Sequence, residues 1–477
     1  MNLFKDMVCY QEEVRDPSRM AEVLNRVIEK AFRGSAPAQI NVPRDYWTQV
    51  IDIELPPIVR FERQGGGKEA IENAAKLLSK AKFPVILSGA GVVLGGAIDE
   101  CKKLAEKLDA PVCNGYQHND SFPGSHPLAV GPLGYNGSKA AMELISKADV
   151  VLALGTRLNP FSTLPGYGID YWPKKASIIQ VDMNPDRIGL TKKVSVGICG
   201  DAKQVAQQIL DKLSSDAGNT GREERKNLIH KTKSAWLQTL SGLDHEEDDP
   251  GTVWNKEARE RDKDRMSPRQ AWRAIQDALP QDAIISSDIG NNCAIGNAYP
   301  TFEKPRKYLA PGLFGPCGYG FPAILGAKIG CPDTPVVGFA GDGAFGISMN
   351  EMSSCAREEW PAITMVIFRN YQWGAEKRNS ILWFDDNFVG TELDPELSYA
   401  KVANACGLKG VTVKTMEETT KAIKQSCEDQ KKGITTFIEI ILNQELGEPF
   451  RRDAMKKPVK VAGIKKEDMK KQPSLIS

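Results

Sequence analysis

An α/β protein with two doubly wound parallel sheets, plus the remnant of a third unit, is predicted by three features of the sequence. Short β-branched runs alternate with amphipathic helical stretches. The runs are apolar throughout, as in Pro84-Val-Ile-Leu-Ser88, which suits strands covered on both faces. Most of them break into Gly or Asp, the residues that let a chain turn sharply out of a sheet.

The segments follow in order. In residues 1–56, Ala21–Phe32 reads as a helix and Pro37–Pro43 as a strand stopped by proline. One helix and one strand cannot close a core, so this segment is expected to be the C-terminal end of a larger domain. Residues 57–213 form the first α/β unit, a central Rossmann-like domain. Its helix Lys68–Lys80 carries Ile71, Ala74, Ala75 and Leu78 on one face. Its strands are expected at Pro84–Ser88, Asp149–Leu154, Ser177–Asp182 and Val196–Cys199. Residues 214–264 hold the acidic run Asp244–Asp249 and read as a charged, solvated linker with some helix. Residues 265–445 form the second unit. It opens at Ser267-Pro268-Arg-Gln270, a capping Ser with Pro at the first helical position and Gln three residues after the cap. Its strands are expected at Ala283–Ser287, Pro335–Ala340, Ile363–Phe368 and Thr436–Ile441. The basic tail 446–477 is expected to lie over the surface as an extended arm.

Composition narrows the function. Sixty-two Lys and Arg against 61 Asp and Glu leave a net charge of +1, which argues against a nucleic-acid binder. No apolar run reaches the roughly 18–20 residues that cross a bilayer, and the first residues lack the apolar core of a secretory leader. Ten cysteines stand singly, the pattern of thiols in a reducing compartment, so a cytoplasmic location is expected. The four histidines show no metal spacing.

The chemistry concentrates at Val336-Val-Gly-Phe-Ala-Gly341-Asp342-Gly343-Ala344. A strand ends, two glycines flank an Asp, and a helix opens with Met349, Met352 and Ala356 among its apolar positions. Exposed backbone N–H groups and the helix dipole there favour a phosphate, and the Asp stands where a divalent cation would bridge to it. Alone, Gly-Asp-Gly is as well explained by a capped turn. Its partner is Asn370, 28 positions after Asp342 at the end of the next strand, followed by Gln372. Both strand ends fall on the carboxyl edge of one sheet, where open α/β sheets bind ligands.

Gly-Asp-Gly followed at this distance by Asn resembles the signature of thiamine-diphosphate enzymes. Ser287-Asp288-Ile-Gly290-Asn291-Asn292 and the glycine-rich stretch Gly312–Pro322 match that family as well. The resemblance implies that Gly290, Asn291, Asn292, Gly315, Cys317, Gly341, Asp342, Gly343, Ala344 and Asn370 line the site of thiamine diphosphate. It also implies that Mg²⁺ is held by Asp342, Asn370 and Gln372, the last through its backbone carbonyl. Cys317 falls where relatives carry a large apolar residue that props the cofactor. Within the family the chain resembles the acetohydroxyacid-synthase type. Tyr116-Gln-His118-Asn-Asp120, Gly155-Thr-Arg157-Leu-Asn-Pro160 and Trp373-Gly-Ala-Glu-Lys377-Arg378-Asn379 point to the branch that converts sulfoacetaldehyde and phosphate into acetyl phosphate and sulfite. A carboligase or decarboxylase acting on pyruvate and a non-catalytic paralogue are the alternatives. Two anionic reactants need cations, which nominates Lys377 and Arg378 as anion contacts, with Trp373 and His118 beside the substrate.

The Gly89-Ala-Gly91 turn followed by Gly95 departs by one residue from a dinucleotide fingerprint, with Asp182 as the matching acid. Related central domains bind FAD, a nucleotide or nothing. In relatives an activating Glu comes from the pyrimidine-binding domain, and no Glu of this chain carries over to that role. A missing stretch of about one domain before Met1, weak cofactor binding and low turnover are therefore expected. The resemblance further implies a homodimer or homotetramer.

Overall fold

A computed structural model describes residues 2–34, 36–55, 62–243, 260–312, 314–383 and 388–445. The acidic run Asp244–Asp249 and the tail 446–477 lie outside these residues.

The N-terminal segment is a parallel pair, β1 (Tyr10–Glu13) and β2 (Ala38–Asn41), joined by the helix Met20–Gly34. Val14, Val23 and Val27 make its small core, while Leu24, Ile28 and Phe32 of the same helix face outward. Strand β1, with two Glu among its four residues, was not expected.

The first α/β unit contains β3 (Pro84–Ser88), β4 (Val112–Asn114), β5 (Ala129–Pro132), β6 (Val150–Leu154), β7 (Ser177–Asp182) and β8 (Val196–Cys199). They form one parallel sheet in the order β5-β4-β3-β6-β7-β8. Helix Lys68–Lys80 buries the four residues its periodicity nominated. The second unit contains β9 (Ile284–Ser287), β10 (Tyr308–Leu309), β11 (Val336–Gly341), β12 (Thr364–Arg369), β13 (Lys409–Val413) and β14 (Thr436–Ile441). It is again all parallel, in the order β10-β9-β11-β12-β14-β13. Because β9, β11 and β12 are neighbours, their carboxyl ends set Asp288, Asp342 and Asn370 side by side.

Ser267 caps its helix as its sequence specifies. Gln270 N donates to Ser267 Oγ (3.1 Å), and Ser267 N donates to Gln270 Oε1 (2.9 Å). From that helix Trp272 packs against Phe339 and Phe368 and donates to Asn292 O at 2.7 Å. The core thus reaches directly to the loop after β9.

The stretch expected to be a solvated linker contains the helix Arg222–Leu243. Arg225 is buried and donates to the carbonyls of Lys82, Leu108, Asp109, Gly218 and Thr220, stitching the helix to the central unit. Trp236 and Leu240 bury into the core of the second unit. Charge composition alone hid these anchors, because one buried Arg with five acceptors looks in sequence like any solvated cation. Tyr116–Ser121 also joins the two units. Asn119 Nδ2 donates to the carbonyls of Asn297 and Pro300 (both 2.9 Å), and Asp120 Oδ2 accepts from Lys307 N (3.0 Å).

Candidate active site

The turn after β11 holds Asp342 in a fully buried position. Its Oδ1 accepts from Gly343 N (2.9 Å). Its Oδ2 accepts from Tyr371 N (2.7 Å) and from Arg369 Nη1 (3.0 Å). Burial pushes this carboxyl up to about 6, while Arg369 pulls it the other way. The helix that opens there, Asp342–Ser348, is shorter than its apolar pattern suggests. A tight turn at Met349–Glu351 separates it from a second piece, Met352–Cys355.

Asn370 and Gln372 follow β12 around a bend in which Tyr371 adopts φ +61°, a strained value for a non-glycine residue. Asn370 Oδ1 and Gln372 Oε1 are buried without a hydrogen-bond partner among the described residues. Gln372 Nε2 is spent on Gln444 O (3.1 Å). Buried orphan acceptors are rare, because each forfeits its hydration without replacement. Beside an ionisable carboxylate, Asn370 Oδ1 and the backbone carbonyl of Gln372 would make a hard-oxygen donor set. A site with one carboxylate suits Mg²⁺ that keeps phosphate oxygens and water as its remaining ligands. No cluster of three His, Cys, Asp or Glu that would hold an ion unaided occurs among the described residues.

The glycines leave the matching room. A Cβ built on Gly341 or Gly290 meets nothing within 4 Å, and Gly290 has φ +132°. Gly343 serves another purpose, since its Cβ would strike the Trp373 ring at 2.8 Å. Asn291 and Asn292 are buried behind Gly290, Asn291 accepting from Tyr135 OH (3.2 Å). The residues therefore fit a diphosphate and a divalent ion.

Asp288, in the Ser287–Asn292 motif, has a structural part. Its carboxylate accepts from Ile289 N (2.7 Å), Gly318 N (3.1 Å) and Gly320 N (2.7 Å), clamping the glycine-rich stretch around Gly315 and Cys317 onto the end of β9. Cys317 is half-buried there, its thiol pushed up by burial. Ala344 packs in the helix core behind Asp342.

The anion-contact candidates are placed differently. Lys377 Nζ lies 2.5 Å from Glu392 Oε1 and 3.3 Å from Gln444 Oε1, so a carboxylate already meets its charge. Arg378 belongs to the helix Gly374–Trp383, with its side chain outside the described atoms. His118 lines a cavity of about 660 Å³ with Arg157, Arg187 and Asp182, and none of Asp342, Asn370, Gln372, Trp373 or Lys377 lines that cavity. Burial and the Arg157 charge push the His118 imidazole down to about 4.

Comparison with known proteins agrees with this geometry. Residues 71–209 match the profile "Thiamine pyrophosphate enzyme, central domain", and residues 288–440 match "Thiamine pyrophosphate enzyme, C-terminal TPP binding domain". The chain belongs to the thiamine-diphosphate enzymes, within them to the sulfoacetaldehyde acetyltransferase family. It is 78% identical over 472 residues to a probable sulfoacetaldehyde acetyltransferase of Rhizobium meliloti, which takes in 99% of this chain and 80% of that relative. It is 75% identical to the sulfoacetaldehyde acetyltransferase of Roseovarius nubinhibens, over 99% of this chain and 78% of that one. A probable acetolactate synthase large subunit of Methanocaldococcus jannaschii is 28% identical over 89% of this chain and 70% of its own length. The crystal structure of a benzoylformate decarboxylase from Polynucleobacter necessarius shares the fold, with a TM-score of 0.73 at 20% identity over 94% of this chain and 78% of that one.

Proposed function

We propose that the protein is a thiamine-diphosphate-dependent acyltransferase that converts sulfoacetaldehyde and phosphate into acetyl phosphate and sulfite. The observation that carries the reading is Asp342 hydrogen-bonded to Tyr371 N, next to Asn370, whose buried Oδ1 has no partner among the described residues. High identity to sulfoacetaldehyde acetyltransferases over nearly the whole chain supports the choice of substrate.

In this reading Asp342, Asn370 and the backbone carbonyl of Gln372 hold Mg²⁺. Gly290, Asn291, Asn292, Gly341, Gly343 and Ala344 bound the diphosphate, and Gly315 and Cys317 lie beside the rest of the cofactor. When bound, thiamine diphosphate supplies a carbanion that adds to the aldehyde carbon. The chain's own part is to fix that group at the sheet margin, to exclude water with Trp373 over Gly343, and to supply cations to the sulfonate and phosphate. Lys377 and Arg378 remain the candidates for that last task, with Lys377 exchanging Glu392 for the substrate anion, and His118 is a candidate substrate neighbour only from the cavity it lines with Gly312 and Tyr319. A homodimer or homotetramer in the cytoplasm completes the proposal. Ten free cysteines support a reducing compartment, and no helix among the described residues is long and apolar enough to cross a membrane. Sedimentation would measure the assembly.

The direct assay supplies purified protein with Mg²⁺ and thiamine diphosphate, then compares sulfoacetaldehyde plus phosphate with pyruvate. Sulfite and acetyl phosphate in equal amounts are the expected products, formed at a low rate because no Glu of this chain carries over to the activating role. Acetolactate from pyruvate, with no sulfite from sulfoacetaldehyde, would replace the proposal with a carboligase.

A further inference from the structure

Arg369, the last residue of β12, is fully buried, and both terminal nitrogens of its guanidinium are hydrogen-bonded, while Nε has no hydrogen-bond partner among the described residues. Nη1 donates to Asp342 Oδ2 at 3.0 Å. Nη2 donates to Leu397 O at 3.0 Å and to Asp394 O. The Tyr371 ring lies 4.2 Å from the guanidinium carbon and the Tyr399 ring 5.5 Å away. Glu439 Oε1 stands 3.8 Å from Nε. Tyr399 in turn donates its hydroxyl to the carbonyl of Asp342 at 2.9 Å.

Counting lone pairs shows what this arrangement does. A carboxylate oxygen accepts about two hydrogen bonds. Oδ2 of Asp342 already has two, from Arg369 and from Tyr371 N, whereas Oδ1 has one, from Gly343 N. The carboxylate is therefore held with one oxygen saturated and the other still open. The planar fork also binds the 394–397 turn. The residues just before that turn run against the metal loop, with Trp373 N donating to Thr391 O (2.7 Å) and Leu393 N to Tyr371 O (2.9 Å). A buried ion pair is poor value for stability alone, because desolvating two charges offsets most of their attraction.

We propose that Arg369 is a positioning residue for the divalent cation. It turns Asp342 so that Oδ1 faces the ion beside Asn370 Oδ1, and it braces the loop that carries Asn370 and Gln372. This rests on the functional reading above, in which Asp342 and Asn370 hold the ion.

The test uses the full chain with Arg369→Lys and Arg369→Met. Two quantities are measured: the Mg²⁺ dissociation constant at saturating thiamine diphosphate, by tryptophan fluorescence, and the melting temperature without metal. Lysine keeps the charge but lacks the fork. The expected result is that Arg369→Lys retains most of the metal-free melting temperature while its Mg²⁺ dissociation constant rises at least tenfold. Arg369→Met should lose on both counts, and if it does not fold, Arg369→Lys carries the test alone. An Arg369→Lys protein that binds Mg²⁺ as the wild type does would reduce Arg369 to a structural role and overturn the inference. Wild-type protein showing no Mg²⁺-dependent binding of thiamine diphosphate would instead bring down the functional reading itself, and this inference with it.

Discussion

At the carboxyl margin of the central sheet, glycines pack backbone against backbone. A Cβ on Gly91 would meet Gly155 Cα at 2.6 Å, and one on Gly89 would meet Gly155 O at 2.6 Å. At the same margin of the second sheet, Gly290 and Gly341 face open space, and buried amide oxygens beside them lack partners. Two parallel sheets with similar glycine-bearing strand ends thus spend their glycines differently: Gly91 and Gly155 pack backbone on backbone in the wall of the cavity of about 660 Å³, while Gly290 and Gly341 leave open space beside Asp342 and Asn370. The glycine pattern alone cannot tell these uses apart. What separates them is the polar neighbourhood: Asp342 with a buried orphan amide oxygen in one, and a backbone crossing beside a cavity lined by Arg157, Arg187, His118 and Asp182 in the other.

The sharpest way to break this contrast is at Asp342. Asp342→Ala should weaken Mg²⁺ binding by more than the 10–100-fold typical of outer-shell changes. It should also cost about 3–5 kcal/mol of stability, because buried Arg369 loses the one carboxylate it hydrogen-bonds and keeps only Glu439 at 3.8 Å. Metal titration and denaturant unfolding read the two effects separately. Gly155→Ala, at φ +61° with Gly91 Cα 2.7 Å from the new Cβ, should destabilise the central unit by about 1–3 kcal/mol or more. The folded fraction should still bind Mg²⁺ and thiamine diphosphate normally, as calorimetry would show. Gly341→Ala should do the reverse, leaving the melting temperature nearly unchanged while thiamine diphosphate binding falls severalfold. Asn370→Ala should weaken Mg²⁺ binding yet leave the metal-free protein as stable as before or more so, since removing an unpaired buried acceptor relieves about 1–3 kcal/mol of desolvation cost.

A different kind of effect concerns pH at the central margin. The His118 imidazole is pushed from its ordinary 6.5 down to about 4 by burial and the Arg157 charge. It stays neutral in the folded chain while the unfolded chain takes up a proton. Its contribution is therefore present above about pH 6.5 and lost as pH falls toward 4. His118→Asn should flatten that part of a stability-against-pH curve, measured by unfolding at fixed temperature.

Much of this was legible in the sequence because its signals were local. The capping box at Ser267, the four buried residues of Lys68–Lys80 and the Asp342–Asn370 spacing each depend on neighbours within one element or on two adjacent strand ends. Strands β4, β5, β10 and β13 were missed, because they are short or carry residues such as Pro, Gly, Lys and Thr that blur the apolar pattern. Arg369 and Asp288 escaped for another reason. Each acts through partners brought together only by the sheet order, and nothing in Phe-Arg-Asn or Ser-Asp-Ile says that the charge turns inward. Lys377 looks in sequence like an open cation because Glu392, its partner, lies across a loop.

The central claim is that Asp342 and Asn370 share one divalent ion with a diphosphate. Crystals grown with Mn²⁺ and thiamine diphosphate would test it most directly through the anomalous signal of the metal. The account expects a single strong peak within about 2.0–2.3 Å of Asp342 Oδ1 and Asn370 Oδ1, the range for small divalent ions bound by oxygen. A peak elsewhere, or thiamine diphosphate bound with no metal at these two side chains, would contradict it.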